Sequence, residues 1–218
     1  MAILDALGER GSLRETIAEK LRSAIVTGEM RSGEVYSAAA LAQQLGVSPT
    51  PVREAMLTVS QEGMVEVVRN KGFRVIELTD ADLDHLTEIR QLIEVPVIAR
   101  IAAGPRHAEA AALRPMAEAI EAAAARGDLT EYLRADRELH LALLRLSGND
   151  ILVEIVGDLR ARARLYGLRG LVESGSLAAS AAEHAELVDL VAKGDDVAAR
   201  ALMERHIEHV RTIWAKPE

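Results

Sequence analysis

Asp136 and His140 stand four residues apart in a stretch whose leucines and alanines recur at a helical period, so their side chains leave one face of a helix a turn apart. His184 and His206 lie in two later stretches of the same kind. One carboxylate and three imidazoles from three helices of a bundle form a nitrogen and oxygen set suited to a divalent cation such as Zn, Ni, Mn or Fe. The chain has no cysteine, which excludes disulfides and argues against a soft-metal centre. Spacing alone leaves a second reading open, because a histidine on an apolar face is often a hydrogen-bonded core residue. A third reading is a metal-dependent hydrolase using the same four residues and a bound water. Against it, no separate general base stands out.

A second chemistry sits near the N-terminus, in Val47-Ser48-Pro49-Thr50-Pro51-Val52-Arg53-Glu54-Ala55. Ser48 reads as an N-cap and Pro49 as the first helical residue, where its missing N–H costs nothing. Ser48, Thr50 and Arg53 are then presented at an exposed, electropositive helix start. Upstream, Ser37 to Gly46 reads as a short helix with a serine cap and a glycine stop, giving a helix-turn-helix. Downstream, Ala55, Met56, Val59 and Met64 form a buried stripe, and residues 66–69 and 73–76 read as two strands joined by Asn70-Lys71-Gly72. Arg69, Lys71 and Arg74 make that hairpin a cationic wing. Ser12 to Glu15 reads as a capping box that opens a first helix with Ile17, Leu21 and Ile25 facing inward.

The character of the chain changes near Thr79, which divides it into a winged helix-turn-helix domain over 1–78 and an all-helical domain over 79–218. Residues 1–78 hold nine Lys and Arg against ten Asp and Glu, a net of −1, so most of the formal charge of −8 belongs to the second part. A near-neutral DNA-binding domain implies modest, salt-dependent affinity that relies on dimerisation. From Asp80 onward the helical period runs through six segments, near 80–103, 107–126, 128–147, 149–169, 177–194 and 195–215. Pro96 and Pro115 fall inside two of them and are expected to kink them. With 2% aromatic residues, the core must be packed by Leu, Ile, Val, Met and Ala. The predicted class is mainly α, a winged helix-turn-helix followed by an antiparallel helical bundle. No signal peptide or membrane-spanning run opens the chain, so a cytoplasmic protein with no membrane partner is expected.

The order helix, helix-turn-helix, wing over residues 10–78, with Pro51-Val52-Arg53-Glu54-Ala55 and the Asn70-x-Gly72-x-x-Val75 wing at matching spacing, resembles the GntR family of bacterial transcription regulators. Two departures stand out: Pro49 replaces a frequent arginine, and Ala38-Ala39 replaces an acidic-basic pair, so some DNA contacts of relatives cannot form here. Asp136-x-x-x-His140, Glu183-His184 and Met203-Glu204-Arg205-His206, together with Glu88 to Glu94, resemble the FCD ligand-binding domain of the FadR-type regulators, nearer the six-helix VanR-like branch. The resemblance implies that Asp136, His140, His184 and His206 hold a metal. Leu139 departs from the family's phenylalanine, altering the packing beneath the site without removing a ligand. Arg90, by the same resemblance, is the leading candidate to clamp a carboxylate effector, with Arg160 and Arg164 behind it as candidates or as interhelical salt bridges. His85, His107 and His209 have no such pattern and read as surface residues.

The function expected from these features is a homodimer that binds double-stranded operator DNA as an inverted repeat. A small carboxylate at the metal site modulates that binding, and repression is favoured over activation because such a dimer can occlude a promoter. A regulator whose metal is purely structural, or is itself the signal, is the alternative.

Overall fold

A computed structural model describes residues 10–163 and 175–209. The chain divides between Glu77 and Leu78 into two compact units.

The first unit contains α1 (Arg10–Val26), β1 (Val35–Tyr36), α2 (Ala38–Leu45), α3 (Pro49–Gln61), β2 (Val65–Val68) and β3 (Gly72–Val75). Helix α1 already includes Ser12, so the expected capping box does not open it. Ile17, Leu21 and Ile25 are buried as their period requires, together with Val52, Ala55, Met56 and Val59 of α3. Arg22 of α1 grips Glu62 through Nε and Nη2 at 2.9 and 2.8 Å, tying α1 to the end of α3. Ser37 caps α2 by accepting from Ala40 N, and Gly46 ends that helix in the left-handed region at φ 68°.

The strands form an antiparallel sheet in the order β1-β3-β2, with Val35 opposite Arg74 and Glu66 also opposite Arg74. Both hairpin strands lie one residue earlier than the sequence pattern placed them, and β1 was not legible because two residues show no alternation. Asn70 turns the wing at φ 60°. Gly72 has φ 136°, and a Cβ there would stand 2.3 Å from the Tyr36 carbonyl oxygen, so the wing closes against β1 only with glycine at this position.

The second unit is helical: α4 (Asp80–Ala103), a 3-10 turn (His107–Leu113), α5 (Arg114–Arg126), α6 (Leu129–Arg145), α7 (Asp150–Ala163), α8 (Leu177–Lys193) and α9 (Asp196–His209). Thr79 opens α4 with a reciprocal capping box to Asp82, and Asp128 caps α6 through Glu131 N. The expected single helix over 107–126 is instead the 3-10 turn followed by α5, because Pro115 stands at the start of α5 rather than inside it. Pro96 lies within α4, which continues past it to Ala103. The expected C-terminal ends of the fourth and sixth helical segments fall outside the described residues. Helix α4 packs against α7 and α9, and α5 lies against α6 and α8. The largest fully buried side chains here include Tyr132, Leu139, Leu143, Leu187 and Met203. The protein is thus mainly α, a winged helix-turn-helix followed by a helical domain.

Candidate metal centre and nucleic-acid interface

In the first unit the side chains proposed to meet DNA stand at one helix start and one hairpin. Ser48 occupies the N-cap of α3 with extended backbone and Pro49 follows at the first turn, but the Ser48 hydroxyl makes no capping bond. Thr50 and Arg53 are exposed on the first turns, while Val52, Ala55, Met56 and Val59 carry the opposite face into the core. Arg69 and Lys71 flank the wing tip, exposed. Arg74 differs from them. Its register partner is Glu66, and its Nη1 lies 2.8 Å from Glu66 Oε1, so its charge is already matched on the sheet.

In the second unit, Asp136 and His140 project from α6, His184 from α8 and His206 from α9, all buried. One ligand atom from each lies within 4.8 Å of every other. Around an ion with bonds of about 2.1 Å, ligand atoms sit roughly 3.0 Å apart when adjacent and 4.2 Å when opposite, so a contraction of under an ångström would bring the set to coordination distance. Asp136 Oδ1 lies 3.0 Å from His184 Nε2 and 3.6 Å from His140 Nε2. His184 Nδ1 lies 3.1 Å from the Ala181 carbonyl and Nε2 3.0 Å from Asp136 Oδ1; both partners are acceptors, so a neutral ring donates to one of them, and donation to Ala181 turns the Nε2 lone pair toward the cluster. Among the described residues neither buried ring nitrogen of His140 has a hydrogen-bond partner, which is costly for a ring whose only business is packing. A divalent ion is a partner that a lone pair on such a ring can take.

Burial also sets the protonation. Desolvation holds His140 well below the ordinary imidazole range, with the Arg160 charge adding to it. Desolvation lowers His206 to about 4 despite the opposing effect of its hydrogen bond to Glu183. Both rings are therefore neutral at physiological pH, the form that ligates metal.

Beside this cluster lies a buried charge network that the sequence reading had only in part. Glu94, fully buried on α4, receives Arg90 Nε at 2.7 Å on one oxygen, and Arg160 Nε and Nη2 at 2.9 and 2.7 Å on the other. Arg160 Nη1 reaches Asp136 Oδ2 at 3.4 Å. Burial alone would raise the Glu94 carboxyl, but Arg160 and Arg90 outweigh it and hold the pKa below its usual value. The guanidinium of Arg160 thus links Glu94 to Asp136, whereas Arg90 meets Glu94 through Nε alone. Arg164 lies outside the described residues.

Two acids in this region were not singled out beforehand. Glu94 was legible as the i+4 partner of Arg90 inside the apolar run Ile93 to Ile98, where a charge needs a buried mate. Glu183 accepts from His206 Nδ1 at 2.9 Å, and its Oε2 lies 3.2 Å from His209 Nδ1. His209 is accordingly packed beside the cluster, not a bare surface residue. His107 too has a buried Nδ1, and of that trio His85 alone is exposed. Among the described residues no helix is long and apolar enough to cross a membrane.

Residues 13–75 match the domain described as bacterial regulatory proteins, gntR family, and residues 85–209 match the FCD domain. An HTH-type transcriptional regulator from an unstable DNA locus of Streptomyces ambofaciens is 30% identical over 198 residues, covering 90% of this chain and 83% of that protein. The Nta operon transcriptional regulator of Aminobacter aminovorans is 30% identical over 195 residues, 86% of this chain and 90% of the relative. Among solved structures, McbR/YncC of Escherichia coli superposes with a TM-score of 0.72 at 25% identity, covering 93% of this chain and 96% of that one. With a matched helix-turn-helix in front and a matched helical domain behind, the chain belongs to the gntR family of bacterial regulatory proteins and is a DNA-binding transcriptional regulator of the FCD type.

Proposed function

We propose that this regulator is a metabolite-responsive repressor. It works as a homodimer on an inverted-repeat operator, and a small carboxylate bound at a divalent metal in the helical domain modulates its hold on DNA. In this reading α3 enters the major groove with Ser48, Thr50 and Arg53 at its leading end, and Arg69 and Lys71 on the wing meet phosphate. Arg74 orders the hairpin through Glu66 more than it meets DNA. Asp136, His140, His184 and His206 hold the ion, and when bound it supplies open coordination positions for a carboxylate. Arg90 offers the acid its two terminal nitrogens, a forked edge that Glu94 leaves unused. Arg160 stands behind the site and orients Asp136. Metal identity within the set Zn, Ni, Mn and Fe is not fixed by three imidazoles and one carboxylate. The bound acid is a signal here and not a substrate.

The observation that carries this reading is the meeting, in one buried region, of a nitrogen and oxygen ligand set with a balanced arginine and carboxylate network. Arg90 and Arg160 offset Glu94 and Asp136. A divalent ion then adds two positive charges to a dry site, and an acid anion restores balance. The test is a thermal-shift screen of dicarboxylates, hydroxy acids and sugar acids on metal-loaded and chelated protein, repeated with Arg90→Ala and carried into operator titrations. Acids should stabilise the loaded wild type, do so weakly after chelation or in the variant, and change operator affinity. A hit equally strong in chelated protein refutes capture at the metal. A tight hit without effect on the operator removes the regulatory role.

A further inference from the structure

The three histidines of the cluster differ in what holds the side of the ring turned away from it. His184 has the Ala181 carbonyl three residues back in its own helix, a partner built into the backbone. Neither nitrogen of His140 is hydrogen-bonded among the described residues. His206 alone has a carboxylate, Glu183 Oε2 at 2.9 Å from Nδ1, reached from a different helix. Glu183 immediately precedes His184 on α8, so one residue of the pair turns into the cluster and its neighbour reaches across to α9. There its other oxygen accepts from Arg205 Nε at 3.4 Å, and His209 Nδ1 lies 3.2 Å from Oε2 without a hydrogen bond.

We propose that Glu183 is the positioning residue of the metal centre: it fixes His206 as the Nδ1–H tautomer and so leaves the Nε2 lone pair to the ion. A neutral imidazole carries one N–H and one lone pair, and an ionised carboxylate can only accept, so contact with Nδ1 decides which nitrogen remains a donor toward metal. The same contact orients the ring and makes it a more basic ligand. His184 needs no such residue because its helix supplies the acceptor. The inference rests on the reading that the four residues hold a metal.

The experiment uses the full chain as wild type, Glu183→Gln and Glu183→Leu, with cobalt(II) as the probe in competition with a chelator of known strength. Histidine ring nitrogen shifts of the metal-free proteins are recorded in parallel. Wild type should show His206 protonated at Nδ1. The glutamine variant, whose amide oxygen still accepts, should keep that tautomer and lose cobalt affinity modestly. The leucine variant should populate the Nε2–H form and lose affinity by about 10- to 100-fold. The tautomer is a readout that general destabilisation does not move, and the glutamine variant keeps the test valid if leucine prevents folding. Cobalt uptake with the same affinity and tautomer in all three proteins overturns the assignment of Glu183 alone. A wild type that takes up no cobalt overturns the metal reading, and the role of Glu183 in it falls too.

Discussion

Replacing Glu94 with glutamine isolates the charge on which the buried network turns. Glu94 is inaccessible to solvent and is the shared acceptor of two arginines whose side chains are each 4% exposed. At an effective dielectric of 20, unit charges about 4 Å apart attract by roughly 4 kcal/mol, so the two pairs give a gross interaction near 8 kcal/mol. Returning a buried carboxylate to water in the unfolded chain recovers several kcal/mol of that. What remains is the usual cost of removing one member of a buried ion pair, about 3–5 kcal/mol. In the variant, two guanidiniums face Asp136 as the acid left within the network, and the new amide presents hydrogens to one of them. For a unit of this size, about 3 kcal/mol lowers the midpoint of thermal unfolding by roughly 9–12 °C. The assay is thermal unfolding of metal-free protein, run for wild type, Glu94→Gln and the double variant Glu94→Gln with Arg160→Met. If unbalanced positive charge is the cause, the double variant recovers part of the loss, because methionine fills similar volume without a charge. A single variant within about 1 kcal/mol of wild type, or a double variant whose losses simply add, refutes the account of Glu94 as the hub.

Arg53→Ala should weaken operator binding by about 1–3 kcal/mol with the fold intact, and unchanged affinity at fixed salt would take α3 out of the groove. Lys71→Ala should lower affinity for many sequences alike and reduce the salt slope by about one, checked by titrations at several salt concentrations. Metal-loaded protein should melt above stripped protein, with a gain of about 2.7 kcal/mol when free metal is a hundredfold above Kd; His184→Ala should abolish the difference, and calorimetry that detects no site in wild type returns the histidines to the core. Stripped protein should also lose stability as pH falls. His206 titrates at about 4 in the fold and near 6.5 unfolded, so between those values the unfolded chain binds the extra proton. That contribution, about 3 kcal/mol from this residue, is complete above pH 6.5 and gone below 4; denaturant melts that do not change across this window would mean His206 is accessible to protons.

The wing and the helix-turn-helix were legible because their signals are local: a serine followed by proline, a glycine stop, an asparagine and glycine at a hairpin. What the local pattern missed was set by contact across the fold. Strand β1 exists because Tyr36 pairs with Phe73 and its carbonyl lies against Gly72, contacts between residues far apart in sequence. Arg74 read as a free wing cation because Glu66 is eight positions away, and only the sheet register puts them opposite. The proline at 115 illustrates an ambiguity of period: alanine-rich residues 107–126 fit one helix, and the 3-10 turn ending at Leu113 moves the proline from a helix interior to a helix start. At the centre, all four members of the cluster were legible from type and spacing. Their outer partners were legible only within a helix, as Glu94 four residues after Arg90 and Ala181 three before His184; the contacts of Glu94 with Arg160 and of Glu183 with His206 join residues far apart in sequence, which no spacing rule encodes.

The two arginines on either side of Glu94 show why such partners decide function. Type and burial do not separate them: both are arginines, both are nearly inaccessible, and both pair with the same carboxylate. Geometry does. Arg160 donates Nε and Nη2 to Glu94 and Nη1 to Asp136, so an anion could recruit it only by breaking bonds that hold a ligand in place. Among the described residues Arg90 donates through Nε alone, so in the proposed reading an anion adds bonds at its terminal nitrogens without displacing Glu94. Burial already presses the Arg90 charge downward, against the pull of Glu94, and a second negative partner relieves that penalty. The proposed regulation requires the acid to gain these contacts in one state over another, because a ligand shifts an equilibrium only by such a difference. In the proposed reading, an acid held by the Arg90 fork would act on α4, the helix that Thr79 caps and the first element in sequence after the DNA-binding unit.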